Sequence, residues 1–391
     1  KVISGRTTNI SNNAYAGGIL GGATKTVTIS NCFSAVTQVS TAGATGCVGS
    51  VLGGTTVSGV TITNCYAAKE SCNGVGLGTG GAGTPTGTPT ILDKYTGYQC
   101  YKNVALDYEK TWVAMETTAP RLRAFAPEAG RFDTDSWYVD AVADKNGNAP
   151  GTKKNPYIID HIAEMYGLAK RVNAGNTFED KYIKLGADLT FNTDTDYTKE
   201  GYVAEYEWTP IGVRSTDGDS NARAFKGSFN VGGDMHEIRG LYSKLSQESV
   251  GLFGYIHSAN IQNIKVVDSY LEGTKYVATI AGYSRDSMID SVYANATVTA
   301  TTAGRAGGIA GRLKGGTINQ CWANCKVSVS AATQYAGGIV GQVGLYNTPT
   351  LASVISNCLA EGTVYIGNKE GNAYAGGILG GASSLNVTIT N

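Results

Sequence analysis

Short apolar segments that end in glycine recur along the chain, and each is followed by a segment in which apolar and polar residues alternate. Seven copies cover residues 16–33, 49–66, 250–266, 278–293, 306–322, 336–359 and 375–391. One copy reads AGGIAGRLKGGTINQCW and another reads AGGILGGATKTVTISNCF. Alternation with a period of two predicts β-strands, and the glycines predict tight changes of direction between them.

The glycine that closes the first segment of each copy defines a column of equivalent positions. Its members are Gly21, Gly53, Gly254, Gly282, Gly311, Gly341 and Gly380, spaced by 28, 29, 30 and 39 residues in the second half of the chain. One such repeat cannot bury its own apolar side, so neighbouring repeats must stack. The pattern therefore predicts a mainly β protein, a parallel β-solenoid with rungs of about 28–39 residues. We expect these glycines at corners where a Cβ atom would clash or where φ is positive.

A cysteine occupies one shared position near the end of four copies: Cys32, Cys65, Cys321 and Cys358. In two other copies Ile264 and Val292 fill this position, which indicates an inward core site. Free buried thiols are therefore favoured over disulfides between neighbouring repeats. Of the other cysteines, Cys72 and Cys100 leave a bridge possible.

A tyrosine precedes the Ala-Gly-Gly of three copies, at Tyr15, Tyr335 and Tyr374. We expect Tyr335 and Tyr374 to form a stacked ladder that stabilises the repeats. The alternative is an aromatic strip that stacks against sugar rings.

The distribution of repeats predicts five segments along the chain. They are terminal rungs of a first solenoid (1–72), a linker and closing segment (73–126), a second linker (127–154), a cap helix with the first rungs of a second solenoid (155–250), and a regular solenoid (251–391).

One helix is predicted at about 160–172, in the fourth of these segments. Its apolar residues recur at helical spacing, at Ile162, Met165, Ala169 and Val172. Asp160 is the expected N-cap, and Gly175 lies just past the helix end. A helix at this place covers the apolar end and the unpaired strand edge of the first rung.

The stretch NAYAGGILGGA occurs twice, at Asn13–Ala23 and at Asn372–Ala382. Two explanations fit this duplication, which spans 359 residues. The chain belongs to a longer tandem array, or separate chains stack end to end into a filament. The first residues, KVISGRTTNI, do not form a signal peptide, so we expect a chain that has been processed or cut from a longer one.

The amino-acid composition argues against nucleic acid and a membrane span. Lysine and arginine total 31 and aspartate and glutamate total 31, so the net charge is zero and nucleic acid is not expected as a partner. No apolar run is long enough to span a bilayer. Glycine is abundant, at 53 of 391 residues, which suits short strands joined by tight turns.

Candidate chemistry is sparse. Two loops resemble the start of a calcium loop, with Asp144, Asn146 and Asn148 in the first and Asp217, Asp219 and Asn221 in the second. Both lack the glycine at position six and the glutamate at position twelve, which makes them weak calcium candidates. The three histidines form no HExxH motif, so zinc catalysis is not expected. We expect no catalytic residue and no cofactor other than calcium.

The pattern G-G-[IL]-x-G followed by I-x-N-C-[YWF] resembles the GLUG-motif repeats of large bacterial surface proteins. Those proteins include adhesins of gut bacteria and a non-catalytic region of immunoglobulin A-cleaving metallopeptidases. Segments at 155–191, 208–212, 225–241 and 250–255 follow in the order of that family. The resemblance extends over residues 155–391, and over residues 1–66 only the repeat motif is shared. It implies a parallel β-solenoid outside the cell.

The sequence thus predicts a non-enzymatic structural or adhesive protein, extracellular or on a bacterial cell surface. Its repeats form a rod or stalk that joins a filament or a longer array. The expected partners are copies of itself, neighbouring modules of the same chain, and glycans or a host surface. The alternative function is a carbohydrate-binding surface module. A glycan-degrading enzyme comes third, because the candidate carboxylates lie in loops between Asp188 and Asp219 and the repeats themselves are nearly free of acidic residues.

Overall fold

The computed structural model describes residues 2–5, 14–36, 39–42, 46–70, 76–80, 83–108, 111–126, 131–214, 222–302, 304–330, 334–344, 352–367, 372–383 and 386–390. The fold is mainly β with large parallel sheets, as predicted. The chain forms two compact units, Lys1–Asp133 and Thr134–Asn391. The finer description as a solenoid stays a prediction.

The first unit contains twelve named strands and two short helices within its described residues. They are β1 (Val2–Gly5), β2 (Ala14–Gly17), β3 (Val27–Ser34), β4 (Val39–Ala42), β5 (Gly46–Gly49), β6 (Leu52–Gly54), β7 (Val60–Ala68), β8 (Leu77–Gly80), β9 (Thr90–Leu92), α1 (Gly97–Asn103), β10 (Trp112–Met115), β11 (Arg121–Leu122), a 3-10 helix (Arg123–Phe125) and β12 (Arg131–Phe132). β10 pairs antiparallel with β11 and β12, and the other sheets of this unit are parallel.

Parallel pairing in the first unit places equivalent residues of successive repeats side by side. In the pair β3–β7, Ile29 lies opposite Ile62 and Val27 opposite Val60. Because side chains alternate between the two faces of a strand, this register puts these isoleucines and valines on the same face. Ile29, Val60 and Ile62 accordingly belong to one buried cluster.

The predicted linker 73–126 differs from the structure in its first part. β8 pairs with β6, and β9 pairs with β7, so two further strands continue the parallel sheets. Parallel pairing needs only backbone N–H and C=O groups, and small residues allow it without an apolar pattern. The Gly/Thr/Pro-rich composition of residues 74–90 therefore concealed β8, whereas β9, with Ile91 and Leu92, is too short to show an alternating pattern.

The second unit contains two helices and twenty-one named strands within its described residues. They are α2 (Ser136–Val139), β13 (Tyr157–Ile159), α3 (Ile162–Asn173), β14 (Tyr182–Leu185), β15 (Leu189–Thr190), β16 (Ser228–Phe229), β17 (His236–Arg239), β18 (Tyr242–Lys244), β19 (Ser249–Val250), β20 (Phe253–His257), β21 (Asn260–Gly273), β22 (Tyr276–Ala278), β23 (Ala281–Ala300), β24 (Arg305–Gly307), β25 (Ala310–Asn319), β26 (Trp322–Val329), β27 (Gln334–Gly337), β28 (Val340–Val343), β29 (Ser353–Ser356), β30 (Leu359–Ile366), β31 (Ala373–Gly376), β32 (Leu379–Ala382) and β33 (Val387–Thr390).

Two parallel sheets organise the second unit. One has sixteen strands, and the other has five in the order β19-β22-β24-β27-β31. An isoleucine column crosses the larger sheet in register, through Ile261, Ile289, Ile318 and Ile355. Each is at most 1% exposed. Burial of one such side chain contributes about 1.5–3 kcal/mol, so the column is a main source of cohesion between repeats.

Helix α3 lies close to its predicted bounds, but its N-cap is His161 rather than Asp160. His161 Nδ1 accepts a hydrogen bond from the Ala163 N–H at 3.1 Å, and the Glu164 carboxylate accepts one from the His161 N–H at 3.0 Å. The same carboxylate accepts from the Asp160 N–H at 2.8 Å. Glu164 thus reaches back over both residues as a capping box, which places Asp160 outside the helix.

The apolar side of α3 is buried, including Ile162, Met165, Ala169 and Val172. The helix follows β13, the first strand along the main path of the sixteen-stranded sheet. The buried carboxylate of Asp135 accepts from Arg171 Nη2 of this helix at 2.7 Å. Gly175 lies just past the helix end, as predicted, and has a φ of +107°. A positive φ at this position is typical of the glycine that ends a helix.

Candidate functional site

The glycine column, with the exception of Gly21, lies inside strands where backbones approach closely, and it does not form left-handed corners. A Cβ atom on Gly341 would lie 2.6 Å from the Gly311 oxygen and 2.8 Å from the Ala306 nitrogen. The described glycines of the predicted column have no positive φ. The prediction that a Cβ atom would clash at these glycines is therefore correct. The predictions of a positive φ and of a place at corners are wrong. Gly212 neighbours this column, because a Cβ on Gly254 would lie 2.4 Å from its oxygen, but Gly212 differs from the column in having a φ of +83°.

One column of left-handed corners is formed by the polar residue that precedes the cysteine position. This column has φ between 49° and 57° and contains Asn31, Asn64, Asn263, Ser291, Gln320 and Asn357. Asparagine tolerates this conformation better than most residues, since its short side chain bonds locally. The asparagine of the I-x-N-C motif was the signal in the sequence for these corners.

The cysteine column forms neighbouring thiols. Cys32 lies opposite Cys65, and all six cysteines for which the structure describes side chains are free. Cys65 and Cys321 are buried, as expected. Cys32 and Cys358 are only half-buried, which corrects the expectation of full burial for these two, although Cys32 still packs against the core cluster of its unit. Cys72 and the side chain of Cys47 lie outside the described residues.

Cys358 should be the most reactive thiol of the second unit. When Cys358 ionises, the neighbouring Cys321 thiol stabilises the thiolate by hydrogen bonding, which lowers the pKa of Cys358 below its ordinary value. The same contact and burial raise the pKa of Cys321, and burial raises that of Cys325. The thiolate is the nucleophile, so iodoacetamide at pH 7 should label Cys358 before the other two.

Peptide mass spectrometry over a pH series measures this order. Cys358 labelling should begin at lower pH than Cys325 labelling in the same sample. Replacing Cys321 by alanine removes the donor and should move the Cys358 profile to higher pH. Labelling of Cys325 before Cys358 would contradict the arrangement.

Tyr335 and Tyr374 stack with ring centroids 5.0 Å apart and an interplanar angle of 12°. The column continues through Arg305 to Tyr276, with the Arg305 guanidinium 5.6 Å from the Tyr335 ring and 5.7 Å from the Tyr276 ring. The ladder is therefore a mixed column of tyrosine and arginine, held by ring stacking and cation–π contacts. The side chain of Tyr15 lies outside the described residues.

The first calcium candidate forms a closed turn. Asp144 Oδ1 accepts from the N–H groups of Asn146 and Asn148, each at 2.9 Å, and Oδ2 accepts from Asn148 Nδ2 at 2.8 Å. These bonds lower the pKa of Asp144. The carboxylate is occupied by N–H donors, which is the arrangement of an Asx-type turn.

The second candidate, with Asp217, Asp219 and Asn221, lies outside the described residues. Within the residues that the structure does describe, no group of three or more His, Cys, Asp or Glu could hold a metal ion. The calcium prediction thus rests on the sequence alone.

A polar groove of about 350 Å³ lies on the outer face of β23, β26 and β30. We define it by Tyr197, Asn295, Thr297, Asn324, Lys326 and Thr363, which line it together with Asp268 and neighbouring backbone. Thr297, Lys326 and Thr363 lie opposite one another in register. Parallel strands are about 4.8 Å apart, so the groove presents one polar side chain from this row at each strand that it crosses.

The last described repeat presents what we name the end face, formed by β30, β31, β32 and β33. Ile389 lies opposite Ile355 and continues the isoleucine column, yet it is 52% exposed whereas Ile355 is 1% exposed. Leu359, Tyr365 and Tyr374 are exposed as well. The end face is thus an apolar surface with the register of the repeats beneath it.

These features define a class of protein: a mainly β protein in which sequence repeats are paired in parallel and in register. No family model matches the chain. Over 166 residues the chain is 29% identical to a halomucin of Haloquadratum walsbyi, a match that covers 41% of this chain and 2% of the halomucin. The chain thus spans a very small part of that relative.

A solved structure is also similar. The crystal structure of a "putative immunoglobulin A1 protease" from Bacteroides ovatus matches with a TM-score of 0.40 and 21% identity, over 65% of this chain and 84% of that chain. No helix among the described residues has the length and apolar character to cross a membrane.

Proposed function

We propose that the repeats form a parallel β-solenoid and that the protein is a non-enzymatic structural or adhesive component outside the cell. The observation that carries this proposal is the unbroken isoleucine column from Ile261 to Ile355, in which every step is a parallel pair in register. A stack of this kind is a stiff rod whose length grows by about 4.8 Å with each repeat.

A place outside the cell is supported by two similarities. The repeat motif resembles the GLUG-motif repeats of bacterial surface proteins, and the similarity to a halomucin agrees with that. In this reading the rod holds a binding surface away from the cell, and the number of repeats sets its reach.

The end face supports extension of the rod by further repeats. Its residues keep the register of the buried repeats, so another parallel repeat fits onto it without rearrangement. The duplicated NAYAGGILGGA stretch shows that the same repeat sequence recurs in the chain. The added repeat comes from a continuation of the chain or from a second copy.

Stacking between copies predicts concentration-dependent association of the 391-residue chain. Sedimentation velocity should show growing elongated species, and negative-stain images should show rods joined end to end. Ile389→Lys places a charge on the end face and should weaken this association at least tenfold, because a buried unpaired charge is costly.

Val203→Lys is the matched control, since Val203 is also an exposed aliphatic residue, at 80%, but lies outside the end face. It should leave association unchanged. A wild-type chain that stays monomeric at all concentrations would contradict stacking between copies, and a globular shape would contradict the rod itself.

A further inference from the structure

The polar groove has a regular floor. Asn295 and Thr297 come from β23, Asn324 and Lys326 from β26, and Thr363 from β30. All five side chains are half-buried or exposed. Thr297, Lys326 and Thr363 lie at paired positions of the three strands, whereas the pairing of β23 with β26 is interrupted at Asn295 and Asn324.

None of these five side chains forms a hydrogen bond or ion pair within the part of the chain that the structure describes. An asparagine amide offers two donors and an acceptor with two lone pairs, a threonine hydroxyl offers both functions, and a lysine offers three donors. The floor therefore presents both hydrogen-bond donors and hydrogen-bond acceptors. A ligand with many hydroxyl groups can form hydrogen bonds with both the donors and the acceptors.

The wall of the groove is an aromatic group held in place. The Tyr197 hydroxyl donates to the Asp268 carbonyl at 2.6 Å. Its ring contacts Tyr202 at 5.2 Å and Tyr242 at 5.5 Å between centroids, and Tyr242 stacks on Tyr270 at 5.5 Å. A wall fixed in this way loses little conformational entropy when a ligand binds, which favours affinity.

The charges of the groove indicate a neutral ligand. Lys326 is the lysine of the floor, and the Asp268 carboxylate at the edge pairs with Arg239. A single ammonium group does not form the cluster of cations that a polyanion needs. The groove crosses several strands, so it suits an extended chain rather than a compact molecule.

We propose that the polar groove binds a neutral glycan chain, through hydrogen bonds to Asn295, Thr297, Asn324 and Lys326 and through contact with Tyr197. Sugar hydroxyls both donate and accept, and the apolar face of a sugar ring packs on an aromatic side chain. This inference rests on the proposed adhesive role and supplies its ligand class. It does not depend on stacking at the end face.

The test uses the full chain carrying Ile389→Lys, so that failure of stacking and failure of binding are seen separately. A glycan array with neutral hexose and N-acetylhexosamine oligosaccharides beside sulfated and uronic acid glycans identifies the preferred class. Titration calorimetry with cellohexaose, maltohexaose and the strongest neutral array glycan then measures the dissociation constant. We expect binding to at least one neutral oligosaccharide.

Variants locate the site. Asn324→Ala and Thr297→Val should each weaken binding at least tenfold without changing the thermal midpoint of unfolding. Lys265→Ala is the matched control for Lys326→Ala, since both are exposed strand lysines and only Lys326 lines the groove. Lys265→Ala should have no effect, and Lys326→Ala should weaken binding.

Three results would overturn the proposal. The first is the absence of any neutral ligand on the array. The second is binding restricted to sulfated or uronic acid glycans that added salt abolishes. The third is neutral binding that Asn324→Ala and Thr297→Val leave unchanged, which would place the site elsewhere.

Discussion

Replacing Gly338 by alanine should destabilise the second unit by about 1–3 kcal/mol or more, the usual cost of overfilling a packed site. A Cβ atom at this position would lie 2.0 Å from the Gly377 oxygen and 2.7 Å from the Ala360 Cβ. The first of these is a backbone atom that a rotamer change cannot move. The two repeats must separate locally, which weakens the pairs β27–β31 and β28–β32. Urea unfolding followed by circular dichroism measures the change.

Gly377→Ala is the matched control, because Gly377 holds the same place in the next copy of the motif. A Cβ atom there meets nothing within 4 Å. The variant should unfold within about 0.5 kcal/mol of the wild type, as surface substitutions usually do. Equal destabilisation by both variants would contradict the close approach as the reason for the glycine. If copies stack through the end face, Gly377→Ala should also weaken their association, since its Cβ would meet the added repeat.

Deleting residues 305–334 should remove one whole repeat and leave a folded protein. Arg305 lies opposite Tyr335, so the deletion joins equivalent points of two neighbouring repeats. Ile289 then meets Ile355 in the isoleucine column, and Val298 meets Val364. Stability is a sum over repeats and their interfaces, so the loss of stability should be modest and the stack of paired repeats should be about 4.8 Å shorter.

Deletion of residues 305–319 alone is the control, because it removes half a repeat. Strands from non-equivalent positions of two repeats then lie opposite one another, and their apolar residues no longer share a face of the sheet. We expect loss of the cooperative unfolding transition for this variant only. Small-angle scattering and circular dichroism on both variants measure the result. Collapse of the whole-repeat variant would contradict independent, stackable repeats.

The sequence predicted the repeats well because their signal is local. Alternation of apolar and polar residues identifies a strand, and its recurrence at intervals near thirty residues identifies equivalent strands. Parallel pairing followed from those intervals, and the pairing of Cys32 with Cys65 and of Tyr335 with Tyr374 is in the register that the motif indicates. Helix α3 was also predictable, since it has four apolar residues at helical spacing.

The sequence did not predict features that depend on contacts between repeats or on the positions of a few atoms. β8 was hidden because backbone pairing has no apolar requirement, and β9 because it is too short to show an alternating pattern. The cap of α3 shifted from Asp160 to His161 because Glu164 bonds the N–H groups of both residues. The exposure of Cys32 and Cys358 depends on their neighbours in the stack, which no residue pattern contains.

The sequence by itself determined that this is a protein of stacked β-repeats, because strand period and repeat length are properties of the chain. Only the tertiary structure decided which residue makes the corner and why the glycines are needed. Stacking brings backbones within van der Waals contact at Gly341 and leaves the left-handed turn to Asn357. It also brings Asn295, Asn324 and Tyr197 to one groove, since residues distant in sequence meet only when the repeats pair in register.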